Sequence, residues 1–216
     1  MNFTFDLGIA VTTFFVIFLA ELPDKSFIAS LVLATRFRHL FVWLGVSAAF
    51  FIQCVIAVTA GGFIALLPQE PVLAVTALFF VAGSFILIRG GLKSRAEEAE
   101  EKAEEESEVL AKVGTDATSD SVRRTIITSF LVIFAAEWGD LTQIFAAAQA
   151  AKTGQPLTVF IGAWLGLITV AGIAVVLGRW LQQRIPLSRV RIASGLVLFA
   201  LAIWTAIEFF QALSAP

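Results

Sequence analysis

The chain is poor in the residues that build disulfides and soft-metal sites. Its 216 residues include one cysteine, one methionine and one histidine. A disulfide needs two cysteines, and Cu⁺ and Zn²⁺ prefer thiolate, thioether and imidazole ligands. The composition therefore argues against an internal disulfide framework, a soft-metal centre and a zinc-protease helix, which needs two histidines.

Charge is also scarce. Asp, Glu, Lys and Arg make up 15% of the residues, whereas hydrophobic residues make up 58%. Soluble domains have about 25% charged and about 45–50% apolar residues, so we expect an integral membrane protein. The one charge-dense stretch, residues 93–124, carries ten acids against six bases. Nucleic acid is not expected as a partner, because phosphates bind basic surfaces.

Six apolar stretches are long enough to cross a bilayer core, which needs about 20 helical residues. The fold-class prediction is therefore an all-α integral membrane protein with six transmembrane helices. The first stretch is long and lacks a basic leader, so we expect it to stay in the mature protein rather than to be cleaved. The predicted spans lie near residues 7–35, 40–68, 71–88, 125–151, 156–178 and 190–212.

The basic residues predict the orientation. Of the 15 lysines and arginines, 13 follow the first, third or fifth span. By the positive-inside rule, we expect both termini outside and the acidic linker at residues 93–124 in the cytoplasm. Its early part, Ala96–Val113, is expected to be helical. A bacterial inner membrane is the simplest location, and an organelle membrane is the alternative if the chain is a mature form.

The two halves of the chain resemble each other. Residues 14–26 read FFVIFLAELPDKS, and residues 130–142 read FLVIFAAEWGDLT, 116 positions later. After a one-residue insertion, Val42–Gly45 also matches Val159–Gly162.

Each half carries three spans, and three is odd, so the second half must insert with opposite polarity to the first. We therefore predict two inverted three-helix repeats, residues 1–92 and 125–216, joined by the linker at 93–124. Inverted repeats are typical of secondary transporters, whose substrate sites lie near the bilayer midplane. Channels also contain repeats, so a passive cation channel stays open as an alternative.

Four carboxylates near the middle of the first and fourth spans are the main functional signal: Glu21, Asp24, Glu137 and Asp140. A charge at that depth costs roughly a few kcal/mol, so such residues face a cavity, a partner or an ion. Glu and Asp three residues apart would lie on one face of a helix. A purely structural role is the weaker interpretation, since one lysine, Lys25, does not neutralise four acids.

The residues around these acids predict an oxygen-lined cation site. Pro23 and Gly139 both allow a local helix break, which frees backbone carbonyl oxygens. Together with the carboxylates, the side chains of Ser26, Thr142 and Gln143 would supply oxygen ligands. Such a set suits a hard divalent cation such as Ca²⁺ or Mn²⁺.

The charge balance predicts how transport is coupled. The four acids and Lys25 give a formal charge near −3, so protons and a divalent cation should compete for the same oxygens. Lys25 is expected to act as an internal counter-charge. Gln53 and Gln149 are further polar groups within spans and are candidates for extending the pathway, Gln149 because it shares a helix face with Thr142.

The paired motifs resemble those of the Gdt-type cation/proton exchangers, which carry two copies of E-x-G-D-[KR]-[ST] separated by an acidic linker. That family includes bacterial manganese exporters and Golgi calcium/manganese exchangers. The resemblance implies that the four acids bind the cation, with Ser26, Thr142 and Gln143 as neighbouring donors. It also implies export of Mn²⁺ or Ca²⁺ from the cytosol in exchange for protons, with no resident cofactor. Pro23 and Leu141 depart from the motif.

Three other functions are alternatives to cation/proton exchange. An amino-acid exporter of six spans is one alternative, but four inward-facing acids suit a cation better than a zwitterion. A channel would share the acidic lining and conduct without a proton gradient. A scaffold or an intramembrane enzyme is least favoured, because no nucleophile and base pair is visible in the spans, and we expect a protein that is not an enzyme. The sequence does not predict the oligomeric state.

Overall fold

The computed structural model describes residues 5–22, 24–93, 95–113, 121–184 and 187–214, and these ranges form helices and connecting turns without a strand. The helix in the linker, α5, matches the helix predicted there. The helices are α1 (Leu7–Glu21), α2 (Lys25–Arg36), α3 (His39–Ile64), α4 (Gln69–Gly91), α5 (Arg95–Val113), α6 (Val122–Ala136), α7 (Leu141–Thr153), α8 (Pro156–Arg184) and α9 (Leu187–Ser214).

Four helices of the described chain, α3, α4, α8 and α9, are each long and apolar enough to cross a membrane. They correspond to the second, third, fifth and sixth predicted spans, although α3 ends at Ile64 rather than near residue 68 and α8 continues to Arg184. The first and fourth predicted spans are not single helices. Each is a bent pair, α1 with α2 at 68° and α6 with α7 at 74°. The number of spans reaches six if each pair crosses the membrane once.

Local sequence accounts for the helix boundaries. Gly139 has φ +74° in the break between α6 and α7, a backbone conformation that favours glycine. Gly154 ends α7 with φ +64°, and Pro156 begins α8, the position where proline fits best because its missing N–H would be unpaired. Pro23, which is predicted to favour the first break, lies outside the described residues.

Corresponding helices of the two halves pack in corresponding ways. α1 packs on α8, and α6 packs on α3. Gly45 of α3 lies so close to α6 that a Cβ would be 2.4 Å from the Ile126 carbonyl oxygen. Gly162 of α8 lies equally close to α1, with 2.4 Å to the Ala10 carbonyl oxygen. Glycine therefore permits the same close helix contact in both halves. The remaining pair, α4 and α9, packs along its length.

The outer surface of the helices is apolar. Leu78, Phe85, Val176 and Phe210 are 62–68% exposed, whereas buried positions of the core are often alanine or valine. Large exposed apolar side chains on long helices are expected where lipid, rather than water, surrounds the protein. The described chain has the surface of a multi-pass membrane protein.

Candidate metal and proton site

The two acidic motifs form the two helix breaks. Glu21 is the last residue of α1, and Asp24 is the N-cap of α2; Glu137 follows α6, and Asp140 is the N-cap of α7. The N–H of each Asp donates to the carbonyl of the Glu three residues before it, at 3.0 Å in the first motif and 3.4 Å in the second. The spacing of three therefore acts through a turn between helices, not through one helix face as the sequence predicts.

The breaks bring all four carboxylates together. One carboxylate oxygen of each residue can be chosen so that all four lie within 4.8 Å of one another. Glu21 is 0% exposed and Glu137 is 3% exposed, whereas Asp24 and Asp140 are half-buried. The Oε2 atom of Glu21 is buried and has no hydrogen-bond partner within the described chain. A buried oxygen without a partner is costly, so a ligand at this point would be favourable.

Hydroxyl and amide groups hold the carboxylates in place. The Ser26 hydroxyl donates to Oε1 of Glu21. The Thr142 hydroxyl donates to Oδ2 of Asp140 at 2.6 Å, and the Gln143 N–H donates to Oδ1 at 2.9 Å. The Gln143 side-chain oxygen accepts the N–H of Gly139 at 2.8 Å. Ser26 and Thr142 therefore orient acids, and Gln143 also fixes the turn.

A small cavity of about 10 Å³ adjoins the second motif. Its polar lining includes Glu137, Asp140, Thr142 and Gln143, together with Gln53 from α3. Gln53 is buried, and its side-chain amide donates to the Phe134 carbonyl oxygen at 3.2 Å. A space of this size suits one water-sized guest. The structure thus brings Gln53 to the carboxylates.

Gln149 and Cys54 each lie in a place that the sequence does not suggest. Gln149 is half-buried on α7, but it lines neither this small cavity nor the larger one described next. Cys54, interpreted from the sequence as a packing residue, is 3% exposed and lines the small cavity. Nothing in the sequence around Cys54 distinguishes a packing position from a position in the cavity wall.

A larger cavity of about 460 Å³ meets the site from the other side. Asp24 and Lys25 line it, as does Thr142. The Lys25 side chain is exposed there, and among the described carboxylates none forms an ion pair with its amine. Within the described residues, the four acids therefore have no bonded cationic partner.

The donor set favours a hard divalent cation. Ca²⁺ binds oxygen ligands at about 2.3–2.6 Å, so two ligands on opposite sides of one ion lie about 4.6–5.2 Å apart. Four carboxylate oxygens within 4.8 Å fit around such an ion with little movement. At each break the C-terminal end of one helix, which carries partial negative charge, meets the N-terminal end of the next helix, which carries partial positive charge.

Comparison with known proteins agrees with this geometry. The sequence pattern of the family described as "Divalent cation/proton antiporter GDT1" matches residues 9–95 and 125–212. The chain belongs to the GDT1 family. Proteins of this family are antiporters of divalent cations and protons, so the expected substrates are a cation and protons, and the family is one of transporters rather than enzymes.

Several curated GDT1 proteins are similar over most of the chain. A GDT1-like protein of Synechocystis sp. is 31% identical over 197 residues, which cover 87% of this chain and 93% of that protein. The divalent cation/proton antiporter GDT1 of Saccharomyces cerevisiae is 25% identical, with coverage of 86% and 78%. Protein PAM71, a chloroplast protein of Arabidopsis thaliana, is 28% identical, with 91% of this chain covering 56% of its length. No solved structure matches the chain significantly.

One further charged cluster, centred on Glu101, lies outside the two acidic motifs. Oε2 of Glu101 on α5 accepts from Nζ of Lys93 and from Nη1 of Arg191, each at 3.1 Å. These contacts join α5 to α9 and to the segment just after α4, beside the large cavity. Glu101 is one of eight glutamates in α5, so nothing in its sequence context distinguishes it.

Proposed function

We propose that this GDT1-family protein exports Mn²⁺, Ca²⁺ or both from the cytosol in exchange for protons. The observation that carries the proposal is the meeting of Glu21, Asp24, Glu137 and Asp140 at two helix breaks, with carboxylate oxygens within 4.8 Å. The family supplies the reaction class, and the oxygen-only ligand set supplies the preference for a hard cation.

In this proposal the four carboxylates are the metal ligands, and they are also the proton carriers. Four acids this close cannot all stay ionised in a buried site without a compensating cation. A divalent cation would therefore displace protons when it binds, and protons would displace the cation when they return. Competition for one set of oxygens is sufficient to couple the two fluxes.

Neighbouring groups have supporting roles. Ser26 and Thr142 would orient carboxylates through their hydroxyls, and Gln143 would hold the second turn. Gln53 would line the path beside Glu137. Lys25 would act as a mobile counter-charge in the large cavity, since its amine is exposed and next to Asp24.

We also propose that the two halves are inverted repeats of three spans each. The support is that α1 with α2 corresponds to α6 with α7, and that the Gly45 and Gly162 contacts match. The concentration of basic residues supports a cytoplasmic linker and outside termini. We propose a bacterial inner membrane as the location, whereas the relatives also include chloroplast proteins.

The decisive experiment measures metal-driven proton movement in proteoliposomes. Mn²⁺, Ca²⁺ and Mg²⁺ are added in turn to vesicles that contain a pH-sensitive dye, and the Glu21→Gln, Glu137→Gln double variant is measured in parallel. We expect proton movement with Mn²⁺ or Ca²⁺ that the double variant loses. Glu104→Gln, an exposed acid on α5, is the matched control and should transport normally.

The same vesicles test the alternatives. A channel would pass the metal without a pH change and would continue when the proton gradient is removed. Absence of proton movement with every metal, from folded protein in sealed vesicles, would overturn the proposal.

A further inference from the structure

The two halves differ in how α4 and α9 contact the broken helices. α4 packs on α7, and α9 packs on α1. If the two halves were arranged alike, α9 would pack on α2 and α4 would pack on α6. Among the described residues, neither of these pairs packs to a similar extent. One side of the site is therefore closed by α4 and α7, and the corresponding space on the other side is open.

Two residues at matching positions show this difference directly. Leu141, the first residue of α7, packs against α4 so tightly that a Cβ on Gly83 would lie 2.8 Å from its Cδ2 atom. Lys25, the first residue of α2, is exposed instead. The 460 Å³ cavity reaches this open space, where Asp24 and Lys25 of α2 and Arg191 of α9 line it. Residues of α4 form its largest wall, and Leu141 and Thr142 of α7 complete the lining.

The linker helix covers that space. α5 packs on α2, whereas α9 does not pack on α2 to a similar extent among the described residues. Glu101 holds α5 to Lys93 at the end of α4 and to Arg191 on α9. Burial raises the pKa of Glu101, but the hydrogen bonds and charges of these two bases outweigh it and keep the pKa below its ordinary value. Glu101 thus stays ionised at neutral pH and keeps both contacts.

An ion pair joins the far end of α7 to α9. Lys152 Nζ lies 2.7 Å from Glu208 Oε2 of α9 and 3.3 Å from the Thr205 hydroxyl. The corresponding position in the first half is Arg36, the last residue of α2, which is exposed. The C-terminal end of α7 therefore forms an ion pair with α9, whereas the last residue of α2 is exposed. Such a difference between the halves is expected for a transporter in one of two alternating states.

We propose that this cavity, bounded by α2, α4, α7 and α9, is the linker-side access route to the four carboxylates, and that α5 is its removable cover, held in place by Glu101. In the opposite state, α9 packs on α2, and an equivalent space opens between α4 and α7. This inference rests on the proposed function, because an access route has meaning only for a transported ion.

Cysteine labelling tests the route without measuring transport. In a Cys54→Ala background, Ala20→Cys places a small reporter in the cavity wall, and Ala136→Cys places one at the matching position of α6. A membrane-impermeant maleimide is added from the linker side of oriented vesicles. We expect Ala20→Cys to react slowly, and Glu101→Gln to increase its rate at least about fivefold. The Ala136→Cys rate from this side should not change.

Two further variants keep the test decisive. Lys93→Gln removes one partner of Glu101 and should also accelerate Ala20→Cys labelling, which covers the case in which Glu101→Gln fails to fold. Glu104→Gln, on the exposed surface of α5, should leave the rate unchanged. Equal rates in all three variants would overturn the proposal.

The labelling result is separable from the proposed function. If labelling responds to Glu101→Gln but no metal moves protons, the cover is supported and the transport proposal fails. If metals move protons but labelling does not respond, transport stands and α5 is not the cover.

Discussion

Glu21 and Glu137 are 116 residues apart in the sequence, yet a carboxylate oxygen of each lies within 4.8 Å of the other in a buried site. Each ends a helix of its own half, so their meeting depends on the two broken helix pairs facing each other. Two buried acids at this distance repel each other when ionised. The repulsion makes the site unfavourable when empty and favourable when it holds a cation.

Glu21→Gln should therefore separate stability from metal binding. The amide keeps the shape of the side chain and removes one ionisable group from the cluster. At a pH high enough to ionise the acids, the metal-free protein should therefore melt a few degrees higher, about 2–4 °C per kcal/mol of relief. The affinity for Mn²⁺ or Ca²⁺ should fall at least about tenfold, because even groups that only hydrogen-bond a metal ligand contribute about 10–100-fold to metal affinity. Thermal unfolding and calorimetric titration of the detergent-purified protein measure both effects.

Glu104→Gln is the control for Glu21→Gln, because it removes an exposed charge of the same kind. It should change neither the melting temperature nor the affinity. Unaltered metal affinity in Glu21→Gln would contradict its assignment as a ligand.

Thr142→Val should weaken metal binding without unfolding the protein. The change keeps the branched shape but removes the hydroxyl that donates to Oδ2 of Asp140 at 2.6 Å. Groups that orient a metal ligand typically contribute about 10–100-fold to affinity. Thr153→Val at the other end of α7 loses a hydroxyl that donates to the Gln149 carbonyl and accepts the Gln155 N–H, with no bond to a site carboxylate, and it should bind metal normally. Equal affinities in both variants would show that Thr142 does not orient Asp140 for binding.

Much of the architecture is predictable from the sequence because it depends on local properties. Apolar stretches of the right length predict α3, α4, α8 and α9 to within a few residues. The motif acids mark both helix breaks because Asp24 and Asp140 are N-caps, and Gly139 supplies the positive φ between α6 and α7.

The remaining features depend on which helices meet, and a single sequence does not encode that in its local pattern. The spacing of Glu21 and Asp24 correctly indicates proximity, but it suggests a helix face where the structure has a turn. One bond of Glu101 reaches Arg191, 90 residues later in the chain, although the other reaches Lys93, only eight residues earlier. Gln53 and Gln149 look alike as polar residues within spans, and only the packing of α3 brings Gln53 to the site.

Gly45→Ala should destabilise the protein, whereas Gly62→Ala in the same helix should not. A Cβ at Gly45 would lie 2.4 Å from the Ile126 carbonyl oxygen, and backbone cannot move aside cheaply. Overpacking of this kind costs about 1–3 kcal/mol. A Cβ at Gly62 meets no described atom within 4 Å, so alanine there gains up to about 1 kcal/mol of helix propensity. Thermal unfolding in detergent compares the two.

Gly162→Ala extends the comparison to the second half. Its Cβ would lie 2.4 Å from the Ala10 carbonyl oxygen, so it should destabilise to the same degree as Gly45→Ala. If Gly45→Ala did not lower the melting temperature, the α3–α6 contact would be looser than described. The same result for Gly162→Ala would apply to the α1–α8 contact.

Glu105 should make the docking of α5 depend on pH. Burial, followed by the nearby charges of Glu101 and Asp24, raises the pKa of Glu105 from 4.5 to about 7, while Lys25 and Arg191 act in the opposite direction. Its Oε2 atom is buried without a hydrogen-bond partner within the described chain. When α5 detaches, the carboxyl returns to water and to its ordinary pKa.

The sign of the effect follows from proton binding. Between about pH 4.5 and 7, docked Glu105 holds a proton that detached Glu105 has lost, so docking weakens as the pH rises through this window and is constant above it. Labelling of Ala20→Cys from the linker side should therefore accelerate from pH 5 to pH 7.

The ratio of labelling rates with and without Glu105→Gln isolates this effect, because thiol reactivity and the titration of the site acids are common to both proteins. The ratio of the Glu105 protein to the Glu105→Gln protein should rise between pH 5 and pH 7 and level off near pH 8. Glu106→Gln, a change at the adjacent exposed acid, should give a ratio that does not vary with pH. A constant ratio for Glu105→Gln as well would mean that this carboxyl does not control the docking of α5, and the cover would then depend on the ion pairs of Glu101 alone.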